Sequence, residues 1–473
     1  MEKHIWIYRD RGDEWKPFND VDQEELNIAI SSSTEEAVRV LGGRFDAHVA
    51  KRYMTTVYES DPKEIRFQRA RWFVEGHPFL ESEDQLITDW FVSSQVGTLT
   101  VSDRQLYKSS DGAVMMASQT LLSADKHVSQ VSGSGFIVPD AGFDDPNIPC
   151  SHLVMAIHGI GESLWSKKAF NLKPFEINCG LLRENLAEYD QHTRTEILHV
   201  NWYHILSESE YTKRIADITL PSIPVFRQLA NEAVADAIFY LNQAHREKIV
   251  SFVAERILNI VTTFKQRNPS WNNRLSLLGH SLGSVIAYDV LSLKKVPPEI
   301  QVTNLFLLGS PLGMFLTARG DTQVLPIPQC MRIYNIIQPN DPVAYRIEPF
   351  IAPATKSCEP VLIPYHRTGG LATTTQVKHA ASTILGLFTS EGDLSYIQKV
   401  AQVVRGSPSP STESPVGLGL AQIESMNSGE RVDWVVQQGF MPGATEYADA
   451  LVAHVAYFDN LDIAKFVHDK IVT

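Results

Sequence analysis

The chain has 473 residues, room for two or three domains at the usual roughly 100–200 residues each, and its 44% hydrophobic content supplies a large core. With 42 basic against 55 acidic residues and a net charge of −13, it has no broad basic face for nucleic acid, and any approach to an anionic membrane must use a local patch. The charged start Met1-Glu2-Lys3-His4-Ile5-Trp6 lacks the apolar core of a secretory signal, and no later run reaches the ~18 apolar residues of a membrane span, so a cytoplasmic protein, soluble or peripheral to membranes, is expected.

Residues 1–65 have the pattern of a small β-rich domain. Trp6-Ile7-Tyr8 alternates as a strand, Trp15-Lys16-Pro17-Phe18 resumes it after a polar turn, Asp22 to Ile30 has helical spacing, and Gly43 to Val49 suggests another strand. In the order of its tryptophans and glutamate this stretch resembles a WWE domain, which implies a module binding a nucleotide-like ligand or a protein. Residues 66–149 are expected to form a β-rich extension with a helix over Glu83 to Val92, closing in a Ser, Gly, Pro and Asp-rich linker from Ser129 to Pro149.

From residue 150 strands and helices alternate, the pattern of an α/β fold with a doubly wound, mostly parallel sheet and its site at the strands' C-terminal ends. The first core strand, His152 to Ile157, runs into His158-Gly159-Ile160-Gly161. Glycines there let a backbone N–H face a substrate carbonyl, and Ile160 is the preferred donor. A second strand, Glu196 to Val200, ends at Asn201-Trp202. The proline-bearing stretch from Tyr211 to Glu247 suits either a cap over the site or a packed surface helix.

Ile249 to Arg267 is helical, and the apolar run Leu275 to Leu278 then leads into Gly279-His280-Ser281-Leu282-Gly283. A serine on the tight turn between strand and helix is a nucleophile elbow. The glycines allow close packing, and the N–H of Leu282 is the second oxyanion donor. Further strands are expected at Thr303 to Leu308 and Met331 to Ile337, the latter reaching Asn340-Asp341-Pro342. A serine needs a base, and the base needs an acid; in α/β-hydrolases these follow in the order Ser, acid, His. Asp341 is the leading acid, although Asn-Asp-Pro is also a good turn former. Of the histidines after it, His454 follows a strand-like Arg431 to Val436 and a helical stretch and is assigned as base, against an ordinary buried histidine. His366 and His379 lie in a polar loop, and His468 is expected to face solvent from the last helix. Residues 405–430, with Ser-Pro-Ser-Pro-Ser-Thr-Glu-Ser-Pro, should form a flexible insertion.

Ser281 in Gly-His-Ser-Leu-Gly, Asp341 in Asp-Pro-Val-Ala-Tyr-Arg, Asp433 in Arg-Val-Asp-Trp, His454 in His-Val-Ala-Tyr-Phe and Asp462 in Leu-Asp-Ile-Ala together resemble the DDHD-domain family of intracellular phospholipases A1, from about residue 150 to the end. The family name records the series Asp, Asp, His, Asp, matched at Asp341, Asp433, His454 and Asp462. The resemblance implies an α/β-hydrolase that cleaves an acyl ester of a glycerophospholipid, phosphatidic acid favoured, at a phospholipid membrane surface of an organelle. It leaves open a neutral-glycerolipid or soluble-ester hydrolase, a trafficking scaffold without chemistry, and association into homo-oligomers. A serine hydrolase requires no cofactor and no metal. Asp433 and Asp462 are as readily structural, the latter as a helix N-cap. The four cysteines, Cys150, Cys179, Cys330 and Cys358, form no C-x-x-C pair and are expected to be reduced.

Overall fold

Alternation at the start of the chain produces antiparallel strands, and the longer apolar runs after residue 150 produce parallel ones. The computed structural model describes all residues except 1–2, 11–13, 60, 94–96, 119–124, 147, 160–172, 190–192, 203–204, 206–213, 216, 223–226, 228–236, 322–329, 369–413 and 438–452. It divides into two units, Met1–Ile148 and Pro149–Thr473.

The first unit holds two antiparallel sheets. Strands β1 (Ile5–Arg9) and β2 (Trp15–Pro17), helix α1 (Asp20–Ser32) and strands β3 (Val38–Val40), β4 (Phe45–His48), β5 (Tyr53–Thr56) and β6 (Glu64–Ala70) form a six-stranded sheet ordered β2-β1-β6-β5-β4-β3. Strands β7 (Trp72–Val74) and β8 (His77–Pro78), helix α2 (Glu81–Val92) and strands β9 (Thr98–Val101), β10 (Arg104–Lys108), β11 (Val114–Met116) and β12 (Lys126–Gln130) form another, ordered β8-β7-β12-β11-β10-β9. The second order is the first with every strand advanced by six.

Side chains repeat with the topology. Trp6 and Trp72 stand on the first strand of each sheet. The Trp6 backbone N–H donates to Gln23 Oε1 at 2.7 Å and that of Trp72 to Asp84 Oδ1 at 2.9 Å; the indole N–H groups donate to Asn27 Oδ1 and Thr88 Oγ1 at 2.9 and 3.0 Å. Pro17-Phe18 and Pro78-Phe79 precede the two helices, and both phenylalanines are buried. Asp22 accepts from the Leu41 N–H at the end of β3, and Glu83 from the Ser102 hydroxyl at the end of β9; Leu41 and Ser102 share the left-handed backbone, φ 53° and 54°. Residues 66–130 are therefore not an extension of the first domain: β6 completes the first sheet, and a second copy of the same module follows it. The stretch expected to be a linker is irregular but packed. Phe136 lies 4.8 Å from Phe73, the Ala141 N–H donates to Asp20 Oδ1, and the Asp20 N–H donates to the Pro139 carbonyl.

The second unit is a mixed α/β domain on a seven-stranded parallel sheet. Its elements are β13 (Cys150–Ile157), α3 (Phe175–Ala187), β14 (Arg194–Val200), α4 (Gln243–Arg267), β15 (Arg274–His280), α5 (Leu282–Ser292), β16 (Gln301–Leu308), α6 (Leu312–Arg319), β17 (Cys330–Ile337), α7 (Glu348–Ile351), β18 (Val361–Leu362), α8 (Pro415–Met426), β19 (Asp433–Val435) and α9 (Leu461–Val472). The order is β14-β13-β15-β16-β17-β19-β18, every pair parallel. Helices cover the strands, so β13 and β16 are buried along nearly their whole length. The chain runs outward from β13 to β14 and then in the other direction from β15, so the C-terminal ends of β13 and β15 flank the point where the winding reverses. That is where open α/β sheets leave a crevice.

Helix α8 corrects the expectation of a flexible insertion over 405–430. Ser414 caps it through the Gly417 N–H, Pro415 occupies its first turn, and Gly419 lets it press on Thr355 and Ala352. Residues 405–413 lie outside the described residues, as do His379 and residues 211–213, 216, 223–226 and 228–236 of the proposed cap. Its descending end is fixed by Tyr240, whose hydroxyl donates to Asp289 Oδ2 on α5 at 2.8 Å, while Arg319 of α6 pairs with the same carboxylate.

Candidate active site

Ser281 joins β15 to α5 with φ 54° and ψ −129°, a conformation that costs energy in any residue bearing a side chain. The glycines on either side are imposed by contact. A Cβ on Gly279 would lie 2.3 Å from Ser284 Cα, and one on Gly283 would lie 2.1 Å from the Ile157 carbonyl oxygen. Helix and strands thus pack backbone to backbone around the serine. Its own N–H donates to the Leu308 carbonyl, its carbonyl accepts the Ser284 hydroxyl, and its side chain lies near the start of α5, whose first N–H groups have no partner within the helix.

The turn after β13 comes directly against it. A Cβ on Gly159 would stand 2.6 Å from Ser281 Cβ and 3.1 Å from Oγ, so only glycine fits. This turn is gripped by Trp202, at the end of β14. The indole N–H donates to the His158 carbonyl at 3.0 Å, and the ring stacks on the His158 imidazole at 5.2 Å and 9°. Trp202 carried no signal of this role in sequence beyond its place at a strand end. Ile160 and Gly161 lie outside the described residues; Leu282 is the first residue of α5.

Asp341 and His454, 113 positions apart, meet through the His454 Nδ1, which is 3.0 Å from Oδ1 and 2.9 Å from Oδ2. Nδ1 carries the proton in this bond, which leaves Nε2 free to accept one. The carboxylate is buried. Burial alone would push its pKa up, but hydrogen bonds from His454, Tyr457 and the Val343 N–H together hold it below the usual carboxylate value. Gly309, at φ 57°, makes the space: a Cβ there would be 2.6 Å from Asp341 Oδ2. The imidazole is placed beside the elbow by His280, the residue preceding Ser281. The two histidine rings are 4.9 Å apart, and His280 Nε2 donates to the His454 carbonyl at 2.8 Å. Burial first, and the neighbouring His454 second, pull the His280 pKa down to about 3, so it remains a neutral donor.

Asp433 and Asp462 face other partners. Asp433 accepts from Asn335 Nδ2, Arg346 Nε and the N–H groups of Ile347 and Glu348, all between 2.9 and 3.2 Å. Glu348 returns the arrangement by accepting from Arg431 and from the N–H groups of Val432 and Asp433. Asp462 is not the N-cap of α9: Asn460 caps it, and Asp462 takes both the N–H and Nδ1 of His366. Nor does His468 face solvent, since its side chain is 11% exposed and its ring lies 5.8 Å from that of Tyr189. Among the described residues, Asp341, Asp433, His454 and Asp462 do not converge into a group with metal-ligating reach. All four cysteines are free thiols, Cys150 and Cys179 buried, Cys330 and Cys358 partly so.

Residues 299–414 match the model of the DDHD domain, a span that contains Asp341, with Ser281 before it and Asp433, His454 and Asp462 after it. The chain is similar to DDHD-family proteins over nearly its whole length. Triacylglycerol hydrolase DDHD2 of Mus musculus is 24% identical over 98% of this chain and 92% of that protein. Phospholipase DDHD1 of Homo sapiens is 24% identical over 70% and 48%, and intracellular phospholipase A1 of Caenorhabditis elegans is 28% identical over 47% and 34%. Among solved structures, dienelactone hydrolase of Anabaena variabilis aligns with 53% of this chain and 75% of that one, at 11% identity and a TM-score of 0.22. No described helix is long and apolar enough to cross a membrane.

Proposed function

We propose that this protein is an intracellular serine lipase that hydrolyses an acyl ester of glycerophospholipids at a membrane surface, as a phospholipase A1. The observation that carries the reading is the Asp341–His454 pair brought beside the Gly-His-Ser-Leu-Gly elbow. Relatives named as phospholipases supply the substrate class. The fold is read as a doubly wound α/β-hydrolase, supported by the reversal of strand order at the serine, and the two N-terminal modules as WWE-like.

His454 Nε2 takes the Ser281 hydroxyl proton as Oγ attacks the ester carbonyl carbon. Asp341 holds the imidazole and balances its positive charge. The N–H of Leu282, with a donor from the turn after Gly159, stabilises the oxyanion. Collapse breaks the ester C–O bond, the departing lysolipid alcohol takes the proton from His454, and an acyl-Ser281 remains. Water then gives a proton to His454, its oxygen attacks the acyl carbon, and the fatty acid leaves as Ser281 regains its proton.

A second reading, hydrolysis of neutral glycerolipid, is favoured by the relative matched over 98% of this chain, which is named a triacylglycerol hydrolase. One experiment addresses both: wild type and Ser281→Ala are compared by lipid mass analysis on liposomes containing phosphatidic acid and on triacylglycerol emulsions. Fatty acid should appear with wild type and be lost in Ser281→Ala, and the preferred particle identifies the substrate. Equal release by Ser281→Ala would overturn the mechanism.

A further inference from the structure

Tyr457 is buried three residues beyond His454, and its ring lies in a buried apolar cluster of the α/β unit. Its hydroxyl is 3.0 Å from the Gln338 N–H and 2.7 Å from Asp341 Oδ2. A backbone N–H can only donate, so the phenol oxygen accepts it and directs its single proton to the carboxylate. The other carboxylate oxygen takes the Val343 N–H at 2.9 Å. Each oxygen of Asp341 thus has an anchor besides His454, and rotation of the carboxylate is fixed. Gly309 completes the fit, because a Cβ there would lie 3.0 Å from the Tyr457 ring as well as against Asp341.

We propose that Tyr457 is a positioning residue for the acid: it orients the Asp341 carboxylate toward His454 and, being three residues from His454, docks together with the base it serves. The inference rests on the serine-hydrolase reading above. A tyrosine that merely filled the core would need its ring and not its hydroxyl.

Tyr457→Phe keeps the ring and removes the bond. In the full-length protein, hydrolysis of a lipid ester and the rate of Ser281 labelling by a fluorophosphonate are measured for wild type, Tyr457→Phe, Asp341→Asn and the double variant, with Ser281→Ala as the labelling control. Loss of one hydrogen bond to a charged group should lower kcat and the labelling rate about 10-fold, with KM within about twofold of wild type. In the Asp341→Asn background the same change should cost less than about twofold, because a residue that acts through the acid has nothing left to orient. Tyr457→Phe with wild-type kcat and labelling overturns the proposal, as does an equal loss with and without the Asp341 carboxylate. Undiminished labelling of Ser281→Ala would overturn the serine reading itself, and the proposal with it.

Discussion

Asp341 lies just past β17 and Asp433 at the head of the neighbouring strand β19, and both are buried. Their partners differ in kind. Asp341 takes an imidazole, a phenol and one backbone N–H; Asp433 takes two backbone N–H groups, an amide and a guanidinium. Their pKa values move apart accordingly. Burial and then the nearby Glu348 raise that of Asp433, whereas at Asp341 the hydrogen bonds outweigh burial and lower it. A carboxylate that serves chemistry is matched to a group that can gain and release a proton. One that serves the fold is matched to groups that hold their protons throughout. On the proposed mechanism, two positions of the DDHD series carry opposite duties.

Replacing each aspartate by asparagine separates these duties. Asp341→Asn should lower kcat by about 10⁴-fold, since an amide favours the wrong tautomer of the base, while the melting temperature changes little. Asp433→Asn should do the reverse. Its new NH2 must point at donors, the Arg346 side chain and Glu348 N–H or the Asn335 amide and Ile347 N–H, and breaking such a buried ionic network costs about 3 kcal/mol. Scanning calorimetry should show the fall in melting temperature, with kcat per folded molecule nearly retained below it. A dead but fully stable Asp433→Asn protein would erase the distinction.

How much of this could be read from the sequence follows the same division. The elbow is local: two glycines and a serine at fixed spacing specify it, and the acid and base follow in chain order. The long strands of the parallel sheet were visible as mainly apolar runs alternating with helical stretches. Tyr457 was not visible, because its role exists only where the segment after His454 meets the end of β17. Nor was the second N-terminal module. Its anchors are chemical equivalents, Asp84 for Gln23, Thr88 for Asn27 and Glu83 for Asp22, and the stretch from Trp72 to Phe79 is shorter than that from Trp6 to Phe18. Helix α8 was hidden by Gly417 and Gly419, poor helix formers, of which Gly419 is used here for close packing.

The smallest expected effect extends the contrast from two carboxylates to the two units. Burial, above all, raises the Asp22 pKa from 3.8 to about 7, so the folded first unit binds a proton that the unfolded chain releases. Its stability therefore grows as pH falls from about 7 toward 4. In the α/β unit, His152 and His280 are buried and neutral, their pKa values lowered from 6.5 to about 3. There the unfolded chain binds the protons, and stability is lost as pH falls below about 6.5. Lowering the pH from 7 to 5 should move the two thermal transitions of the full-length protein in opposite directions by a few degrees, and Asp22→Asn should flatten the rise of the first. If both transitions fell together, and Asp22→Asn changed neither, burial at Asp22 would not be holding a proton in the folded module.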